Sequence, residues 1–193
     1  MNRVFEAALE FQTFCREHDF KFCIIGGVAV QRWGEPRATL DADATLLTGF
    51  GHEEPFINAA LERFRPRRED AARFAGQNRV LLLSAANGVD LDIALGAIPF
   101  EERAIQRASQ WRIPSGTSLL TCSAEDLIVH KAFADRDIDW ADVERILIRQ
   151  GARLNLDLVW SELRPLIQLK EAPAIATRLE ALIKRWPPDK KNR

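Results

Sequence analysis

Cysteine and long apolar segments are scarce in this sequence. Its three cysteines, Cys15, Cys23 and Cys122, lack the spacing of a metal site and cannot all pair, so we expect reduced thiols in the cytoplasm. No apolar stretch approaches the roughly 20 residues that a membrane-spanning helix needs. The N-terminal segment MNRVFEAALEFQTF is amphipathic and contains acids, which is not typical of a signal peptide. These absences argue against membrane proteins, secreted disulfide scaffolds and cysteine-based metal sites.

The sequence also lacks an excess of charge of either sign. Its 27 Lys and Arg residues nearly balance its 28 Asp and Glu residues, which leaves a net charge of −1. No overall field therefore draws the protein to nucleic acid or membrane, and a nucleic-acid contact would need a local basic patch. The best candidate is RFRPRREDAAR at 63–73, which we interpret as a solvated face. Its basic residues are Arg63, Arg65, Arg67, Arg68 and Arg73.

The apolar residues that are present follow two periodicities. Up to about residue 120, short β-rich runs alternate with helical patterns, which predicts an α/β (α+β) fold; beyond it the pattern is helical. We predict an α/β core at 1–120 and a helical region at 121–193 packed on it, because no flexible linker separates them. The predicted helices cover 3–18, 28–33, 53–64, 99–108, 123–134, 139–150, 156–169 and 174–186. The predicted strands cover 20–25, 38–47, 79–86 and 89–95.

The last two predicted strands form the clearest hairpin in the chain. Asn87 and Gly88 separate two β-rich runs. Because an Asn-Gly pair favours the positive φ angles of a type I′ turn, we predict a two-residue turn of that type here.

Two glycines and a pair of acids stand out in the N-terminal part. Gly26 and Gly27 lie where the first strand turns into a helix. Glycine lets a ligand approach the backbone closely, and the unpaired N–H groups of a helix start bind phosphate. Asp41 and Asp43 alternate with apolar residues on the next strand, so they share one face of it.

A second acidic pair, Asp90 and Asp92, alternates with apolar residues on a later strand in the same way. Clustered carboxylates repel each other, and a divalent cation such as Mg²⁺ compensates that repulsion. Two such ions can activate a hydroxyl and stabilise a leaving phosphate. Either acid can supply a third carboxylate; we favour Asp92, because it lies farther from the Asn-Gly turn, where a strand is better anchored.

The order of these residues resembles the DNA polymerase β-type nucleotidyltransferase superfamily. Its signature is an apolar residue, Gly-[Gly/Ser], a gap, Asp-x-[Asp/Glu], and a third carboxylate on a later strand. In this chain the signature reads Ile25-Gly26-Gly27, the gap 28–40, and Asp41-Ala42-Asp43. Within the superfamily the chain is most similar to the AbiEii/AbiGii and MenT-like toxin group, which carries Arg-x-Thr-x-Asp-x-Asp. The matching residues are Arg37, Thr39, Asp41 and Asp43.

The resemblance, which covers about residues 20–150, also implies a lysine and a later acidic pair. Lys131 matches the lysine; we favour contact with a phosphate over a side chain that snorkels to solvent. Asp139 and Asp142 match the acids, although their place at a helix start also suits the helix dipole. Arg37 holds a triphosphate in one reading and buttresses the loop before the strand in the other.

By resemblance we expect a nucleotidyltransferase-type mixed β-sheet flanked by helices, with a C-terminal helical part. The expected nucleotide-binding residues are Gly26, Gly27, Arg37, Thr39 and Lys131. The expected metal ligands for Mg²⁺ or Mn²⁺ are Asp41, Asp43 and Asp92, with Asp90 as the alternate. The expected catalytic residues are Asp41, Asp43, Asp92 and Lys131, and Asp139 and Asp142 are secondary candidates.

The activity that the resemblance implies is transfer of a nucleoside monophosphate from an NTP to a hydroxyl group. The acceptor would be RNA, at a tRNA 3′ end, or a protein side chain. The biological role would be that of a toxin in a toxin–antitoxin or abortive-infection system, restrained by an antitoxin protein. The alternative is a catalytically silent binding or regulatory module that keeps the fold.

Overall fold

The computed structural model describes residues 2–187, and these group into two compact units. The first unit comprises the residues up to Val28 together with Ala38–Cys122. The second comprises Ala29–Arg37 and the chain from Ser123 onward. Within the described residues, no helix has both the length and the apolar character to span a bilayer.

The first unit is built on a mixed sheet of seven strands in the order β3-β4-β5-β2-β1-β7-β6. The strands are β1 Phe22–Ile24, β2 Asp41–Leu47, β3 Arg65–Pro66, β4 Val80–Ser84, β5 Asp90–Gly96, β6 Ser109–Arg112 and β7 Ser118–Thr121. Its helices are α1 Arg3–Glu17, α3 Glu54–Arg63, α4 Ala71–Asn78 and α5 Pro99–Gln106, and α2 Gly26–Trp33 begins here. The β2–β5 and β1–β7 pairs are parallel, and the remaining neighbours are antiparallel. The predicted mixed α/β architecture is therefore confirmed.

Strand β2 shows why the acids lie on one face of the sheet. Its apolar residues Ala42, Ala44 and Leu46 are buried and belong to the main core, which α1, α3 and α4 also line. The alternate positions Asp41 and Asp43 are partly exposed on the opposite face. Because the period of a strand is two, burying the apolar residues forces both carboxylates to the other side.

The hairpin forms as predicted, but the turn type is wrong. Of the two turn residues only Gly88 has a positive φ, at +79°, so the turn is not type I′. The N–H of Gly88 donates to the carbonyl of Ala85, and that of Ala85 donates to Val89, which closes a three-residue loop. The Asn87 side chain accepts from the Val89 N–H, and this local bond favours the longer loop.

Four elements of the first unit escaped the sequence prediction: β3, α4, β6 and β7. Strand β3 has two residues, and α4 begins at Ala71, near the end of the charged segment 63–73 that we interpret from sequence as a solvated face. The five arginines of that segment are exposed. Short strands with exposed edges, such as β6, carry too little apolar alternation to be detected.

The second unit is helical. It contains α6 Ala124–Ala134, α7 Asp137–Gln150, α8 Leu156–Lys170 and α9 Ala174–Arg185, with a short 3₁₀ turn at Gly151–Arg153. Helix α6 begins after Ser123, whose hydroxyl accepts from the Asp126 N–H as an N-cap. Buried faces of α6, α7 and α8 meet in its core through residues such as Leu127, Val143 and Leu163.

Candidate active site

Three carboxylates of the first unit converge at one point of the sheet. Asp41 and Asp43 lie on β2, and Asp92 lies on the parallel neighbour β5, directly opposite Asp43 in the strand register. One carboxylate oxygen from each lies within 4.8 Å of the others. Oxygens bound to one Mg²⁺ at about 2.1 Å lie at most about 4.2 Å apart, so small side-chain rotations suffice to close the site. An all-carboxylate donor set fits a hard divalent cation such as Mg²⁺ or Mn²⁺.

The two glycines bring the start of α2 against these acids. A side chain at Gly26, where φ is +59°, would place its Cβ 1.8 Å from Oδ2 of Asp43. The Gly27 N–H donates to the same oxygen over 3.4 Å, and a Cβ at Gly27 would lie 2.3 Å from Oγ1 of Thr39. Both positions require glycine because β2 and the loop before it press directly on the helix start.

Thr39 orients one of the acids. Its hydroxyl donates to Oδ1 of Asp41 over 3.0 Å. A carboxylate held by a neighbouring hydroxyl loses rotational freedom, so Thr39 fixes the direction in which Asp41 presents its oxygens. The sequence placed Thr39 among the nucleotide-binding residues; the structure gives it a contact with a candidate metal ligand.

Asp90 and Asp92 differ in their surroundings although they share a face. Arg67, the residue after β3, donates to Oδ2 of Asp90 over 2.6 Å and also bonds Oδ1 of Asp92. The structure brings Asp92, and not Asp90, into the three-carboxylate cluster. Asp90 is the more exposed of the two, at 46% against 35% for their side chains.

The pKa of Asp92 reflects its place among the other acids of the cluster. Partial burial raises its pKa above the ordinary value, which is the largest effect. The positive charge of Arg67 lowers the pKa, and the negative charges of Asp41 and Asp90 raise it again. The balance is upward, as expected for a carboxylate placed among other carboxylates with one cation beside it.

The remaining predicted residues, Arg37, Lys131, Asp139 and Asp142, form a second cluster within the helical unit. Lys131 Nζ lies 2.8 Å from Oδ1 of Asp139 and 3.0 Å from Oδ2 of Asp142. Both carboxylates are fully buried, and the lysine side chain is 7% exposed. The lysine on this core-facing helix therefore has buried anionic partners. Whether it also contacts a phosphate stays a prediction.

Arg37 completes this cluster. Its Nε and Nη2 donate to the two oxygens of Asp142 over 2.8 and 2.9 Å, which is a bidentate pair. Burial pushes the pKa of Asp142 upward, but hydrogen bonds and charge from Arg37 and Lys131 outweigh it, and the pKa lies below the ordinary value. The structure thus shows that Arg37 binds Asp142 within the helical unit, and its role toward a triphosphate stays a prediction.

Sequence reasoning assigned Arg67 to a solvated face and missed its place beside the acids. Its backbone N–H donates to the Leu82 carbonyl, and Leu82 is paired with Asp92 in the β4–β5 register. The guanidinium thus reaches Asp92 across one intervening strand, a distance that a long arginine side chain can span. No pattern in the sequence relates Arg67 to an acid 25 positions away, because β3 has only two residues.

No protein-family model matches the sequence, and no curated protein matches it significantly. Solved structures do match. The antibiotic-resistance factor ANT(2″)-Ia is similar with a TM-score of 0.56 at 16% identity, over 96% of this chain and 98% of that one. The lincosamide antibiotic adenylyltransferase LnuA is similar with a TM-score of 0.50 at 12% identity, over 73% of this chain and 94% of that one. The chain therefore has a nucleotidyltransferase-type fold.

Proposed function

We propose that this protein is a metal-dependent nucleotidyltransferase that transfers a nucleoside monophosphate from an NTP to a hydroxyl group. The observation that carries the proposal is the convergence of Asp41, Asp43 and Asp92 beside the Gly26-Gly27 helix start. Three acids that converge on one point repel one another and cost stability, and a catalytic metal site gives them a use. The fold shared with ANT(2″)-Ia and LnuA supports the same activity.

The proposed chemistry assigns a task to each group. Asp41, Asp43 and Asp92 would hold one or two Mg²⁺ or Mn²⁺, which supply charge stabilisation of the transferring phosphoryl group. The start of α2 would bind the phosphates through backbone N–H groups, beside the acids whose close approach Gly26 and Gly27 permit. The acceptor oxygen bonds to the α-phosphorus, the bond to pyrophosphate breaks, and a carboxylate, in our proposal that of Asp92, takes the acceptor proton.

The candidate acceptors follow from two different observations. The Arg-x-Thr-x-Asp-x-Asp motif, from Arg37 to Asp43, is the basis for an RNA acceptor such as a tRNA 3′ end, or a protein hydroxyl, and for a toxin restrained by an antitoxin. The structural likeness to a lincosamide adenylyltransferase favours a small hydroxyl-bearing antibiotic as the second candidate.

A labelling experiment identifies the acceptor. The protein is incubated with each labelled NTP and Mg²⁺ or Mn²⁺, together with total RNA, total protein or a lincosamide, and the fraction that becomes labelled contains the acceptor.

The substitution Asp43→Asn tests the proposed site. It removes one charge from the cluster and keeps the shape, so we expect the metal-free variant to be as stable as the wild type or more stable. At a ligand concentration about 100 times Kd, Mg²⁺ with an NTP stabilises the wild type by about 2.7 kcal/mol. This corresponds to a rise in Tm of roughly 5–10 °C for a domain of this size, and Asp43→Asn should lose that rise together with transfer activity.

The matched control is Asp19→Asn, which makes the same charge change at an exposed position of the first unit with φ +53°. Asparagine tolerates that left-handed conformation, so the control should keep both the Tm shift and the transfer activity. An unfolded Asp43→Asn variant, or one that still responds to Mg²⁺ and NTP, would show that Asp43 is not a metal ligand. A wild type without any Mg²⁺-dependent nucleotide binding would favour the catalytically silent module.

A further inference from the structure

The acid cluster includes a cation supplied by the protein itself. Arg67 bridges Asp90 and Asp92, with Nη1 of the guanidinium 2.6 Å from Oδ2 of Asp90 and Nη2 bonded to Oδ1 of Asp92. Asp92 is also a member of the three-carboxylate cluster. One positive charge of the protein is thus bound to an acid that a divalent cation would need.

We propose that Arg67 is a resident counter-ion of the site that competes with the divalent metal for Asp92. This inference rests on the proposed function, because it needs Asp41, Asp43 and Asp92 to be the metal site. While Arg67 holds Asp92, part of the negative charge that attracts a metal is neutralised. Metal entry therefore requires the guanidinium to give up its bond to Asp92, so Arg67 lowers the affinity for metal in the absence of nucleotide.

The surroundings of Arg67 suit a contact that can be released. Its side chain is 26% exposed, and it follows a strand of only two residues. Asp90 retains the guanidinium through the other nitrogen, so release from Asp92 does not leave the arginine without a partner. Asp90 thereby keeps Arg67 in place, whereas Asp92 belongs to the three-carboxylate cluster and can exchange Arg67 for a metal.

A simple support for the fold would behave differently. If Arg67 served only to orient Asp92, its removal would leave the carboxylate misplaced and metal binding would weaken. If it competes, its removal exposes the full charge of the cluster and metal binding strengthens. The two roles therefore predict changes of opposite sign in the affinity for metal. The change is modest but measurable, because Arg67 and its acids form partly exposed ion pairs.

The experiment is titration of MnCl₂ without nucleotide, with free Mn²⁺ followed by electron paramagnetic resonance, on the wild type, Arg67→Ala, Arg67→Lys and Asp43→Asn. We expect Arg67→Ala to bind Mn²⁺ about three- to tenfold more tightly than the wild type. Arg67→Lys should lie between them, because lysine keeps the charge but cannot bridge two carboxylates with a planar fork. The Tm of metal-free Arg67→Ala should be lower, and its rise on adding MnCl₂ larger, than in the wild type.

Arg68→Ala is the matched control. Arg68 is the next residue in sequence and pairs with Asp70 outside the cluster, so its removal changes the net charge equally. It should alter Mn²⁺ affinity less than about twofold. Equal or weaker binding by Arg67→Ala, or an equal gain in Arg68→Ala, would overturn the competition. Mn²⁺ binding that is absent from wild type and Arg67→Ala alike, or that persists in Asp43→Asn, would overturn the proposed metal site as well.

Discussion

Replacing Lys131 with methionine tests the energetic role of the buried charge cluster in the helical unit. Methionine keeps the length and apolar body of lysine but removes the charge that lies 2.8 Å from Asp139 and 3.0 Å from Asp142. Both carboxylates are fully buried, so neither can turn to solvent when the ammonium is lost. Removing one partner of a buried ion pair typically costs about 3–5 kcal/mol.

The other contacts of the two acids place the expected value at the low end of that range. Asp142 keeps its bidentate bond to Arg37, and Asp139 keeps Nε of Arg136 at 2.5 Å. Each carboxylate therefore retains at least one guanidinium, and we expect Lys131→Met to lower the free energy of unfolding by about 3 kcal/mol at pH 7.

Urea denaturation followed by far-UV circular dichroism measures this change. Lys184→Met makes the same substitution at an exposed position of α9 and should change stability by less than about 0.5 kcal/mol. A loss below about 1 kcal/mol in Lys131→Met would refute the reasoning, because the two carboxylates would then not depend on the lysine. If that variant also kept its stability but lost the Mg²⁺–NTP shift in Tm, a phosphate contact would be the better account of Lys131.

Two further predictions concern His130 and Gly26. Burial lowers the pKa of His130 from 6.5 to about 4, while the charge of Asp126 raises it and that of Lys131 lowers it. As the pH falls from about 6.5 to about 4, the unfolded chain protonates this histidine and the folded protein does not, so the fold loses stability. Urea denaturation should therefore show the wild type losing up to about 3 kcal/mol more than His130→Gln between pH 7 and pH 4, and parallel curves would contradict this. Gly26→Ala should cost about 2–4 kcal/mol and abolish the Mg²⁺–NTP shift in Tm, because its Cβ would meet Asp43 at a residue with φ +59°. The control Gly76→Ala, in a helix with open space around it, should gain up to about 1 kcal/mol; equal effects of the two would show that the approach of Asp43 is not what requires Gly26.

The sequence by itself determined the main elements and the faces of the strands. Apolar alternation around Asp41 and Asp43 is a local property, and burial of Ala42, Ala44 and Leu46 turned it directly into an acidic face. The helices of the C-terminal part likewise begin and end within a few residues of their predicted limits, because helical periodicity and the Ser123 cap are also local. The Asn-Gly pair predicted the hairpin but not its turn, since the Asn87 side chain bonded the backbone and favoured a longer loop.

Only the tertiary structure decided which distant charges meet. The parallel register of β2 and β5 set Asp92 opposite Asp43, and the two-residue strand β3 brought Arg67 to Asp90 and Asp92. Packing of α6 against α7 placed Lys131 between two buried acids. Such contacts depend on strand register and helix packing between segments far apart in sequence, which local periodicity does not encode.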